Sequence, residues 1–191
     1  GYKTISLQEL YDLKTRKIKS NEQKLIIIHF DDGFLDNYTI AYPMLKKYGF
    51  KATVFVSPDF VDPRPIIREQ TYDKILKGEK INLTENWGYM SWEELKEIDR
   101  SGVIDVQGHA MSHTWYPAGP KLVDIHHKSD KYYWLWWNVF KEEKPLWLTK
   151  YLDEDVEIGT PVFQFEKSIA AKRFFVTDAV NKFIMDKYRE R

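Results

Sequence analysis

Between residues 7 and 13 the apolar side chains fall at Leu7, Leu10, Tyr11 and Leu13, the spacing of one helix face. Ser6 precedes the run and Glu9 follows three residues later, so a hydroxyl and a carboxylate can satisfy backbone N–H groups at a helix start. The pattern predicts a helix through about Lys14. Leu25-Ile26-Ile27-Ile28 has no alternation and is β-branched, as in a strand buried on both faces, and it runs into His29-Phe30. Helical periodicity returns from about Asp36 to Tyr48, with Gly49 as its stop and Pro43 as a kink or a restart. Lys51–Ser57 reads as a second buried strand, after which Pro58, Pro63 and Pro65 break regular structure. Ser91-Trp92-Glu93-Glu94 repeats the capping pattern and opens a helix that Gly102 closes, and Val103–Gln107 is a third strand. Strand, helix, strand, helix, strand is the alternation of an α/β fold with parallel strands.

The pattern weakens beyond His113. Residues 114–160 carry Tyr132, Tyr133, Trp134, Trp136, Trp137, Phe140 and Trp147, and no strand is evident there. An aromatic-rich helical insertion at about 114–175 is expected within one domain spanning 1–191. Thr177 or Asp178 can cap a last helix that places Ala179, Val180, Phe183, Ile184 and Tyr188 on one face.

Composition narrows the classes of function. The 191 residues carry 29 Lys and Arg against 29 Asp and Glu, so no bulk charge draws the chain to nucleic acid or to an anionic membrane. Cysteine is absent, which excludes disulfides, Cys-ligated zinc and a Cys nucleophile. No run approaches the ~18 apolar residues of a membrane span. The first ten residues lack the basic and apolar regions of a secretion signal, so none is expected in this chain.

Ligands of parallel α/β folds gather at the carboxyl ends of the strands. Asp31-Asp32-Gly33 follows the first strand and His109 and His113 follow the third. Adjacent carboxylates need a compensating charge, which a divalent cation supplies. Two His four apart can converge on one ion if the chain between them turns helically. The ordinary alternatives are a helix-capping Asp and two solvated imidazoles. His29, inside a strand, reads as a packed or supporting residue. His126 and His127 point in different directions and read as surface positions.

His29-Phe30-Asp31-Asp32-Gly33 resembles the Thr-Phe-Asp-Asp-Gly motif of the polysaccharide deacetylases (NodB-homology domains, carbohydrate esterase family 4). Gly108-His109-Ala110-Met111-Ser112-His113 is similar to that family's His-Ser/Thr-x-x-His motif. The stretches DNYTIAYPMLKKYGFKATVFV and MSWEELKEIDRSG resemble the corresponding family segments, so the likeness covers roughly residues 4–117.

The resemblance implies an irregular (β/α) barrel that removes N-acetyl groups from an amino-sugar polysaccharide or glycoconjugate. It implies Asp31 as catalytic base and Asp32, His109 and His113 as ligands of one divalent metal ion, zinc or another first-row metal. The implied partner is an N-acetylated carbohydrate, with the cell envelope favoured as the place of action. Substrate identity and oligomeric state are not legible. For adjacent aspartates to have different tasks, the chain must bend at Gly33 or just before it.

His29 replaces the family's usual Thr and Ala110 its usual Ser or Thr. No segment matches the family's Arg-x-Pro-x-Gly or late Leu-x-His motifs, and Gly159-Thr160-Pro161 is a poor substitute. The barrel is therefore expected to be incomplete in this chain. The alternative function is a metal-retaining, catalytically weak protein that binds carbohydrate.

Overall fold

The computed structural model describes residues 1–15, 17, 24–82, 87–130, 132–150 and 156–190. They form two compact units, Gly1–Met111 and Ser112–Arg191.

In the first unit, β1 (Tyr2–Thr4) leads into α1 (Leu7–Lys14), whose start carries both hydrogen bonds of the Ser6/Glu9 capping box. Next come β2 (Lys24–Ile26) and β3 (His29–Phe30). The apolar run expected to form one strand is thus divided between partners: β2 pairs in parallel with β1, and β3 in parallel with β4 (Ala52–Val56). Lys24 and Ile26 are exposed, so the run is not buried on both faces. Its hydrophobicity reflects short pairings in two sheets.

Between β3 and β4 the chain makes a π-helical turn at Asn37–Ala41 and continues as α2 (Tyr42–Tyr48), with Pro43 in the first turn. Pro43 therefore restarts the helix, since a first-turn residue needs no intrahelical N–H donor. Gly49 ends it at φ 66°, a left-handed conformation that glycine adopts without a Cβ clash.

After β4 a proline-broken segment includes α3 (Tyr72–Leu76) and reaches α4 (Trp92–Arg100), which is capped on both sides of the Ser91/Glu94 box. β5 (Ile104–Gly108) follows and pairs in parallel with β4. Leu95 and Ile98, one turn apart on α4, are buried in a core with Val54, Ile104, Leu35, Tyr38, Tyr42 and Leu45. The three-stranded sheet has the order β3-β4-β5. Strands alternating with helices in parallel pairing are the repeating unit of a β/α barrel. Among the described residues no barrel closes, in line with the expected incompleteness.

The second unit contains strands that the residue pattern does not announce. β6 (Trp115–Ile125) and β7 (Pro161–Lys167) pair antiparallel. Pro117 and Pro120 remove backbone donors from β6, and its register shifts between Pro117 and Leu122, so the alternation that marks a strand is interrupted. Between them lie α5 (Leu135–Val139), a 3₁₀ turn at Lys141–Leu146 and α6 (Trp147–Lys150). The helical part of residues 114–175 is thus framed by strands, with 131 and 151–155 outside the described residues. The aromatic cluster is this unit's core: Trp134 packs on Phe165 at 4.7 Å between centroids, and Trp137 stacks on Trp147 at 5.3 Å. α7 (Asp178–Arg189) is capped by Thr177, and Val180 and Phe183 on it are exposed.

Candidate metal centre

At the end of β3 the backbone bends sharply. Asp32 has φ 67° and Gly33 φ 74°, and the Gly33 N–H donates to the Asp31 carbonyl at 2.9 Å. A left-handed Asp is tolerated better than most residues because its short polar side chain can bond locally. Glycine is required at the next position for a second reason: a Cβ on Gly33 would lie 3.3 Å from both methyls of Val56. The chain therefore bends at Asp32-Gly33, directly after Asp31.

The bend is held from outside. Met90 N–H donates to the Gly33 carbonyl at 3.0 Å and Leu35 N–H to the Gly88 carbonyl at 2.9 Å. Phe34 and Tyr89 form a β-bridge and stack at 5.2 Å. The segment supplying these contacts is itself clamped. Arg68 donates through its backbone N–H and Nε to Glu94 Oε1, at 2.8 and 2.9 Å, and through a terminal nitrogen to Glu94 Oε2 at 2.6 Å and the Tyr89 carbonyl at 2.8 Å. Glu94 is fully buried, and it also accepts from Ser91 N–H in the capping box. Asp62, 2% exposed, binds Arg64 by two nearly parallel hydrogen bonds and lies 3.4 Å from Arg68. Burial opposes ionisation of Asp62, but Arg64 and Arg68 outweigh it and hold the carboxyl below its ordinary value.

The second group of residues comes from β5. His109 N–H donates to the Val56 carbonyl at 2.9 Å, extending the β4-β5 ladder one step beyond the strand. The chain then turns away, with the Met111 carbonyl accepting from Asp59 N–H at 3.1 Å and His113 at φ 29°. A bend, rather than a helical turn, brings His113 back. His109 Nε2 lies 3.6 Å from Asp32 Oδ1, and the ligand atoms of Asp32, His109 and His113 all lie within 4.8 Å of one another.

That donor set suits a divalent ion of intermediate softness. Bonds of about 2.0–2.2 Å place two donors on one ion at most roughly 4.4 Å apart, so small side-chain rotations close the set. One carboxylate and two imidazoles leave coordination positions open. Among the described residues this is the one such cluster.

Asp31, the expected base, is exposed on the bend beside Asp32, and its carboxylate makes no hydrogen bond or ion pair among the described residues. Tyr89 is driven far above its ordinary phenol range by burial and then by the Asp32 charge, so it is neutral and a hydrogen-bond donor. His29 is not a packed core residue. It is exposed, with its ring edge-to-face with Phe55 at 6.1 Å, because the last residues of the divided strand lie at a sheet edge. Nor is His126 a surface residue: its ring turns inward to Asp130, Nδ1 to Oδ2 2.6 Å, while His127 is exposed. The Arg68–Glu94 clamp is absent from the sequence reading, since Glu94 already has a local explanation as a capping residue and Arg68 lies 26 positions away.

The chain is similar to several known proteins. YxkH of Bacillus subtilis (strain 168), whose name puts it among polysaccharide deacetylases, is 35% identical over 113 residues, 59% of this chain and 32% of YxkH. The poly-β-1,6-N-acetyl-D-glucosamine N-deacetylase of Escherichia coli (strain K12) is 24% identical over 115 residues, 60% of this chain and 15% of that protein. The chain therefore spans about a third of one relative and far less of the other. The deacetylase domain of BpsB from Bordetella bronchiseptica aligns with a TM-score of 0.46 at 25% identity, covering 63% of this chain and 43% of that one. The sequence profile described as "Polysaccharide deacetylase" matches residues 18–132, more than half of the chain and inclusive of both motifs, and the chain belongs to that family.

Proposed function

We propose that Asp32, His109 and His113 hold one divalent first-row metal ion, zinc foremost, and that Asp31 is the general base in removing N-acetyl groups from an amino-sugar polysaccharide. One observation carries this reading: a carboxylate and two imidazoles from neighbouring motifs converge within ligand reach of one another in a chain of this family. A bound ion supplies Lewis acidity, polarising a carbonyl and lowering the pKa of water. Asp31 accepts the proton as water adds to the amide carbonyl and hands it to the departing nitrogen as the C–N bond breaks, so that acetate and a free amino group are released. The bend at Asp32-Gly33 keeps the base off the ligand set, so one carboxylate binds while the other moves a proton. The E. coli relative's named substrate favours a glucosamine polymer and, with it, action at the cell envelope or beyond.

A second reading is carbohydrate binding without turnover, which the unmatched Arg- and His-bearing motifs favour. Acetate release from N-acetylglucosamine oligomers, measured on metal-stripped protein with and without added zinc, separates the two. The expected result is zinc-restored release that Asp31→Asn lowers by roughly 10² to 10⁴. Oligomer binding without acetate release from zinc-loaded protein supports the second reading, and release indifferent to metal overturns the first.

A further inference from the structure

The second unit contains a partly open cavity of about 310 Å³, in the range of about 300–1,000 Å³ usual for small-molecule sites. Its lining has two characters: Pro117, Trp134 and Phe163 give an apolar wall, and Asn138, Arg173 and Asp178 bring polar atoms. Arg173 is held in the lining by its neighbours. Its guanidinium carbon lies 5.7 Å from the Tyr116 ring centroid and 5.5 Å from that of Phe175. One terminal N–H donates to Asn138 Oδ1 at 3.3 Å. Asn138 is fixed in turn, because its amide nitrogen donates to the Trp115 and Trp134 carbonyls at 2.8 and 3.1 Å.

The backbone around Arg173 is also anchored. Phe174 N–H donates to the Pro117 carbonyl at 2.7 Å, and the Tyr116 hydroxyl donates to the carbonyls of Ser168 and Ala171. The guanidinium plane is therefore set before any ligand arrives. Among the described residues no carboxylate forms an ion pair with it, and Lys141 and Asp178 add one charge of each sign to the lining, which stays net positive. A half-buried guanidinium held rigid with no ion-paired carboxylate keeps N–H donors that an anionic ligand can complete.

We propose that this cavity binds an acidic sugar residue. The carboxylate takes the remaining donors of Arg173 in the planar two-bond pairing that guanidinium makes with carboxylates. The sugar ring lies against the apolar wall, as rings with one apolar face do on aromatic surfaces. The choice of a sugar rests on the proposed function, whereas the choice of an acid rests on Arg173.

The test is calorimetric titration of metal-free protein with D-glucuronate, D-glucose and inorganic phosphate, repeated on Arg173→Lys and Arg173→Gln with thermal midpoints measured alongside. Glucuronate is expected to bind about tenfold or more tightly than glucose, which lacks the charge, and than phosphate, which lacks a ring for the apolar wall. Arg173→Lys keeps the charge but loses the planar pairing and weakens glucuronate at least about fivefold, and Arg173→Gln abolishes binding. Should Arg173→Gln fail to fold, Arg173→Lys decides. Absence of glucuronate binding at millimolar concentration overturns the proposal. So does glucose or phosphate binding equally well, or undiminished affinity in a folded Arg173 variant. Because no metal is present, this outcome is independent of acetate release: either can fail while the other stands.

Discussion

At the scale of single residues, two consecutive left-handed positions decide where the Asp32 carboxylate lies. Gly33 is under double constraint, from its φ of 74° and from the Val56 methyls 3.3 Å from where a Cβ would sit. Gly33→Ala is expected to cost about 1–2 kcal/mol, the usual penalty for placing a Cβ in this conformation, and to weaken metal affinity as the bend shifts. Urea denaturation and a metal titration of the variant check both. An unchanged midpoint together with unchanged affinity would mean that the bend is not what positions Asp32.

The elements around the bend are only as firm as the Arg68–Glu94 clamp. Arg68→Ala leaves a fully buried carboxylate without its main partner, and is expected to cost about 3–5 kcal/mol by urea denaturation. A loss below about 1 kcal/mol would show that water replaces the guanidinium. Asp62 adds a pH dependence. Its folded pKa is depressed below the ordinary 3.8, so its contribution is complete above about pH 4 and is lost as the pH falls through the lowered value. Urea midpoints between pH 7 and 2 should fall more steeply below pH 4 in the wild type than in Asp62→Asn. Parallel curves would remove Asp62 from the account.

Which elements are legible in sequence follows the same distinction between local and distant causes. α1, α2 and α4 carry their own caps, stops and periodicity, and β4 and β5 are short apolar runs bounded by punctuation. The run at Leu25–Phe30 shows hydrophobicity but not partners, so its division between two sheets is invisible. β6 hides behind Pro117 and Pro120, and β7 has meaning only as its partner. Asp31, Asp32, His109 and His113 stand out because strand ends in parallel folds are where polar residues gather. The clamp beneath them joins residues 26 positions apart, and no local pattern announces it.

At the scale of the whole molecule, each unit closes a core of its own, one around Leu35, Val54 and Ile98 and the other around Trp134–Trp137. Five of the seven Trp lie in the second unit, at 115, 134, 136, 137 and 147, so Trp fluorescence reports mainly that unit while far-UV circular dichroism reports both. In Arg68→Ala the dichroism transition should shift to lower urea while the fluorescence transition moves less. Coincident shifts would show that the two cores unfold as one.

Metal content decides most directly whether Asp32, His109 and His113 hold an ion that Asp31 does not. Zinc content by elemental analysis, after loading and exhaustive dialysis, tests it across the wild type and four variants. About one zinc per chain is expected in the wild type and in Asp31→Asn. Strongly reduced zinc is expected in Asp32→Asn, His109→Ala and His113→Ala. If Asp31→Asn loses the metal as completely as Asp32→Asn, both carboxylates are ligands and the division of labour is wrong. If none of the four substitutions changes the zinc content, the metal centre is not at these residues.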